Sequence, residues 1–144
     1  MNLSSNTKSN QAEVVYVVDD DEAVRDSLTW LLESNGYVVR CNASAERFLQ
    51  SLQSTDKSTI SCVILDVRMP GMSGLALHAH LQANQMAWPV IFMSGECQPH
   101  ETTQAQASGP IDFLWKPFST QQMLQAIERG LASIQSANDP LVRT

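Results

Sequence analysis

Apolar and β-branched residues fall into five short runs along the chain: Val14–Val18, Tyr37–Val39, Cys62–Leu65, Val90–Met93 and Ile111–Trp115. Runs of this length and composition predict strands. The stretches between them are spaced as helices. Val24, Leu28, Leu31 and Leu32 share one face of the first, which Asn35-Gly36 closes as a C-cap. A second carries Ala45, Phe48, Leu49 and Leu52 and opens after Asn42 or Ser44. A third starts near Gly74 with Leu75, Leu77 and Leu81, and the last repeats Leu124, Ile127, Leu131 and Ile134. Strands alternating with helices predict an α/β fold, a doubly wound parallel sheet covered on both faces. Such sheets bind ligands beyond the carboxyl ends of their strands.

Those ends carry the chemistry. The first run ends in Asp19-Asp20-Asp21, the third in Asp66, the fourth in Ser94-Gly95 and the fifth in Lys116-Pro117. The second, with Arg40 and Cys41, brings no comparable group. Converging carboxylates repel unless a hard divalent cation neutralises them, and Mg²⁺ suits an all-oxygen set. Ser94 and Lys116 offer donors to anionic oxygens. A carboxylate beside Mg²⁺ and a lysine is equipped to attack phosphorus and form an acyl phosphate.

The 144 residues suit one domain, and a 43% hydrophobic content supplies its core. Nine basic against fifteen acidic residues give a net charge of −6, which argues against direct nucleic-acid binding. Cys41, Cys62 and Cys97 form no C-x-x-C pair, and His78, His80 and His100 form no i, i+4 zinc pair. The start of the chain lacks the apolar core of a signal peptide, and no apolar run reaches membrane-spanning length. These features predict a cytoplasmic protein without membrane contact. The domain is expected over residues 13–135, between a disordered polar tail at 1–12 and a tail or linker at 136–144.

The segments V-V-D-D-D-E-A-V-R, V-I-L-D-V-R-M-P-G-M-S-G, V-I-F-M-S-G and I-D-F-L-W-K-P-F together resemble the receiver (CheY-like) domain of bacterial two-component response regulators, in its FixJ-type branch. The resemblance runs from about Val14 to Ile134. It implies a flavodoxin-like fold of five parallel strands in the order 2-1-3-4-5 with five flanking helices. It also implies that Asp66 accepts a phosphoryl group from a sensor histidine kinase. The implied Mg²⁺ ligands are Asp20, Asp19 through water, Asp66 and the backbone carbonyl of Arg68. Ser94 takes the place of the switch hydroxyl, Lys116 of the phosphoryl contact, and Phe113 of the switch aromatic. Lys116-Pro117 is where a cis peptide is expected. Asp21 reads as a solvated residue of the first helical turn.

Some positions depart from the family pattern. The fourth helix, expected within Pro99–Ser108, has Thr103 and Gln106 where receivers place apolar residues, and Pro110 replaces the usual Ala. A weak or displaced helix follows from this. The segment belongs to the face that FixJ-type receivers use to dimerise when phosphorylated, which leaves a phosphorylation-dependent homodimer open. Arg68 and Glu96 are expected to pair across the site and slow loss of the phosphate. Trp30 lies opposite the apolar stripe of the first helix, either packed on neighbours or part of a kinase-docking surface. FixJ-type proteins carry a DNA-binding output domain after the receiver. The implied function is therefore a phosphorylation-driven switch that controls transcription through a further domain, or a stand-alone regulator acting by protein contacts. It is not a conventional enzyme. An aspartyl-nucleophile phosphohydrolase would need D-x-D where Asp66 is followed by Val67-Arg68. A dinucleotide-binding enzyme would need G-x-G-x-x-G where the chain has Asp-Asp-Asp-Glu.

Overall fold

The computed structural model describes residues 13–138. The tail expected at 1–12 and the end of the chain from 139 lie outside the described residues. Strands and helices alternate from the first element: β1 (Val14–Val18), α1 (Glu22–Glu33), β2 (Val38–Asn42), α2 (Ala45–Leu52) and β3 (Ile60–Asp66). They continue with α3 (Gly74–Ala83), β4 (Val90–Ser94), α4 (Pro99–Ala107), β5 (Asp112–Trp115) and α5 (Thr120–Asn138). Every strand pairing is parallel. The sheet order is β2-β1-β3-β4-β5, the order that the resemblance implies. α5 continues three residues into the segment expected to be a tail.

Successive strand residues point to opposite faces, so the apolar runs feed two cores. Tyr16, Val18, Val63 and Leu65 meet Phe48 of α2, Leu77 and Leu81 of α3 and Ala105 of α4. Val15, Val17, Ile64 and Met93 meet Leu28 and Leu32 of α1 and Met123 and Ile127 of α5. β3 lies at the centre and is buried along almost its whole length, which is why it reads as an unbroken apolar run. β2 is an edge strand. It extends to Asn42, past the apolar Tyr37–Val39 run, because an edge can carry exposed Arg40 and Cys41 while its backbone pairs with Tyr16, Val17 and Val18.

Several helix starts are fixed locally. Ser44, one of the two N-caps expected, accepts the Arg47 N–H at 3.1 Å. Asp21 caps α1 from outside the first turn, accepting the Ala23 N–H at 2.9 Å. The fourth helix, expected to be weak or displaced, stands in its expected place. α4 is formed, between β4 and β5, with Pro99 in its first turn and Glu101 accepting the Gln98 N–H at 2.8 Å. The polar sequence shows instead in its packing, since Ala105 is the one buried residue of the helix.

Candidate functional site

The parallel order brings the ends of β1, β3, β4 and β5 to one edge of the sheet. Asp19, just past β1, is fully buried and held on every side. Its Oδ1 accepts the Asp21 N–H at 2.9 Å, its Oδ2 accepts Lys116 Nζ at 2.8 Å, and its carbonyl accepts Arg25 Nη1 at 2.8 Å. Asp66, 5% exposed at the end of β3, has its Oδ1 3.5 Å from the same Lys116 Nζ. Asp20 is exposed beside them, and one carboxylate oxygen of each of Asp19, Asp20 and Asp66 lies within 4.8 Å of the others. The backbone N–H of Lys116 donates to the Ser94 carbonyl at 2.8 Å, which ties β5 to β4 where the site is built.

Three carboxylates face one ammonium, and the imbalance falls on Asp66. Burial and then the neighbouring Asp19 push its carboxyl up to about 6, against the downward pull of Lys116. Burial works against the charge of Lys116 itself, but its hydrogen bond to Asp19 and the charges of Asp66 and Asp19 outweigh it and hold its pKa above the ordinary lysine value. A divalent cation among the three carboxylates would relieve this repulsion. The donor set is therefore the right one for Mg²⁺.

The other expected residues stand at different removes from this centre. Ser94 is buried at the end of β4, with its hydroxyl donating to the Glu96 carbonyl at 2.8 Å and accepting the Glu96 N–H at 3.2 Å. Phe113 is half-buried on β5, its ring 6.3 Å from that of Phe92 and 5.1 Å from that of Trp115. The Lys116-Pro117 peptide is cis. Arg68 is not paired with Glu96 as expected. Its Nη2 lies 2.9 Å from Glu101 Oε1 on α4, because Glu101, one helical turn into the chain after Gln98, faces the loop that follows Asp66.

That loop has two supports that the sequence did not reveal. Val67 donates its N–H to Met93 and accepts from Gly74, both at 3.0 Å, so the chain returns close against the end of β3. A Cβ at Gly74 would stand 2.2 Å from the Asp66 carbonyl oxygen, so only glycine fits there. Further out, Glu46 of α2 accepts the Met72 N–H at 3.0 Å. The glycine was visible only as a helix start, and Glu46 carried no sequence signal for this contact.

Residues 15–128 match the response regulator receiver domain family. The chain belongs to that family. Among similar proteins, this receiver domain is 44% identical over 126 residues to the transcriptional regulatory protein TdiR of Thauera aromatica, covering 88% of this chain and 54% of the relative. It is 37% identical over 123 residues to the transcriptional regulatory protein FixJ of Bradyrhizobium diazoefficiens, covering 85% and 58%. The chain thus spans just over half the length of these relatives. Among solved structures, the response regulator StyR superposes with a TM-score of 0.77 at 38% identity, covering 88% of this chain and 64% of that one. The structure titled FixJ-N gives 0.74 at 34%, covering 83% and 94%.

One more feature borders the site of the receiver domain. A largely apolar groove of about 600 Å³ runs between α1 and the β5–α5 loop, lined by Val24, Trp30, Leu31, Pro117 and Phe118, with Lys116 at its edge. Trp30 is 73% exposed, so most of its ring faces solvent at the groove. No helix among the described residues is long and apolar enough to cross a membrane.

Proposed function

We propose that this receiver domain takes a phosphoryl group onto Asp66 from the phosphohistidine of a sensor kinase. The observation that carries the reading is the placing of a nearly buried Asp66 against Lys116 and two further carboxylates at the open edge of the sheet. In the transfer an Asp66 oxygen forms the new P–O bond while the P–N bond of the phosphohistidine breaks. The electron pair returns to the imidazole, which takes up a proton. Asp19, Asp20 and Asp66, with the Arg68 carbonyl, would hold Mg²⁺, which supplies charge neutralisation for the transferring group. Lys116 pairs with a phosphoryl oxygen through a charge-assisted contact, a reading its 3.5 Å approach to Asp66 supports.

The kinase docks on the groove between α1 and the β5–α5 loop. Lys116 both edges that groove and approaches Asp66, so a partner seated on Trp30 and Phe118 abuts the phosphoacceptor. The resulting change passes through Ser94 and Phe113 to the α4–β5–α5 face. Ser94 must give up its Glu96 carbonyl to reach a phosphoryl oxygen. Output is transcriptional control, through a part of the protein beyond this domain, in the cytoplasm. The names of the relatives TdiR and FixJ support this output.

Acetyl phosphate with Mg²⁺ tests the reading. One phosphoryl group per chain is expected, labile to hydroxylamine and absent from Asp66→Asn. Phosphate remaining on Asp66→Asn at the native level would overturn it, as would multiple-turnover hydrolysis of a phosphoester.

A further inference from the structure

We infer that Arg68 is a tether through which the state of Asp66 acts directly on the first turn of α4, a route separate from Ser94 and Phe113. The inference rests on the phosphorylation of Asp66 proposed above. Arg68 follows Asp66 by two residues, and the backbone between them is pinned. The Val67 N–H donates to Met93 and its carbonyl accepts from Gly74, each at 3.0 Å. The side chain is the exposed part. Its Nε and Nη2 donate to Glu101 Oε1 at 3.2 and 2.9 Å, and that same oxygen accepts the Gln98 N–H at 2.8 Å. The loop after Asp66 and the start of α4 therefore share one acceptor atom.

The other end of α4 is also held by polar groups. Gln82 of α3 donates to the Ser108 carbonyl at 2.9 Å, and His78 Nδ1 lies 3.1 Å from the Ser108 hydroxyl. That hydroxyl donates its one hydrogen to the Ala105 carbonyl at 2.6 Å, so the hydrogen between it and His78 belongs to Nδ1. Between these two ends only Ala105 is buried. α4 is thus clamped at its tips more than glued along its length. Of the two tips, the Arg68 end alone connects to the loop that begins at the phosphoacceptor.

A tether of this kind responds to charge. Both side chains keep solvent contact, 45% for Arg68 and 21% for Glu101, so their bond is weak enough to be redirected. A phosphoryl group on Asp66 adds about one unit of negative charge. Two residues of chain place it within about 8 Å of Arg68 along the backbone, inside one Debye length. The guanidinium is then drawn from Glu101 toward the phosphoryl oxygens, and the first turn of α4 loses an anchor.

Amide exchange of the full chain, with and without acetyl phosphate and Mg²⁺, tests the tether at Gln98 and at Glu101–Thr103. In the native chain exchange at Glu101–Thr103 rises on phosphorylation. Glu101→Gln keeps an acceptor for the Gln98 N–H but removes the charge. It is expected to raise exchange there about 2- to 5-fold before phosphorylation, the range of an exposed ion pair, and to leave little further rise afterwards. Arg68→Ala should behave alike. His78→Phe loosens the far end only and keeps the phosphorylation-dependent rise, which separates coupling from general loosening. An unaltered rise in Glu101→Gln overturns the tether, as does native exchange that ignores phosphorylation. The mass of the protein reports phosphoryl uptake independently. If the native chain takes up none, the functional reading fails, while an unphosphorylated Glu101→Gln that exchanges like the native chain overturns the tether by itself.

Discussion

Asp66→Asn should make the metal-free receiver domain more stable at neutral pH, although it removes the proposed phosphoacceptor. The substitution keeps the shape of the side chain and deletes its charge. In the native chain burial and Asp19 raise the Asp66 carboxyl from 3.8 to about 6, so the folded state resists its ionisation. The sign follows from linkage. A carboxyl whose pKa is raised by folding stabilises the fold fully only below its unfolded value, and that contribution is lost as the pH climbs through the folded value. The native chain should therefore lose stability between about pH 4 and pH 6 from this group. About two pK units correspond to about 3 kcal/mol as a ceiling. Water at the open edge of the sheet screens the repulsion, and the 2.8 Å contact of Lys116 to Asp19 does not involve Asp66. A gain of about 1 to 2 kcal/mol is therefore expected at pH 7.5, or several degrees in Tm. The assay is denaturation of both proteins at pH 7.5 and pH 4.5, in chelator and in excess Mg²⁺. The gap should shrink at pH 4.5. It should narrow or reverse in Mg²⁺, which is expected to bind the native site better and so to stabilise it by mass action. Equal stability in chelator at pH 7.5, or a gap that ignores pH, would refute the reasoning.

Three further outcomes follow from the same geometry. Gly74→Ala puts a Cβ 2.2 Å from the Asp66 carbonyl oxygen and is expected to cost more than about 3 kcal/mol, while Gly95→Ala, whose Cβ meets nothing nearer than 3.9 Å, should cost under about 1 kcal/mol; chemical denaturation of the pair checks this. Lys116→Met strips the buried Asp19 of its cation and should destabilise the metal-free protein by about 3 kcal/mol at neutral pH, read by chemical denaturation in chelator. Trp30→Ala removes an exposed ring, so denaturation should show a change within about 0.5 kcal/mol. Its phosphorylation by acetyl phosphate should match the native chain, and transfer from the kinase should slow at least about tenfold, since exposed tryptophans in grooves are frequent hot spots.

The sequence by itself determined the alternation of strands and helices, the parallel sheet and the chemistry at its edge. It could do so because strand burial and helix spacing are local patterns, and because a parallel sheet sends every strand end to the same side. Asp19, Asp66 and Lys116 could be grouped across 97 residues for that reason alone. Only the tertiary structure decided which partner each charge takes. Arg68 has both Glu96 and Glu101 nearby, and sequence distance does not rank them; the folded chain puts Glu101, in the first turn of α4, against the guanidinium. β2 likewise outran its apolar run because an edge position, which is a property of the sheet, permits exposed polar residues in a strand. The polar sequence of α4 did signal thin packing, but its place in the fold is held by groups on α3 and on the loop after Asp66. Those contacts are made between distant segments, and no local pattern encodes them.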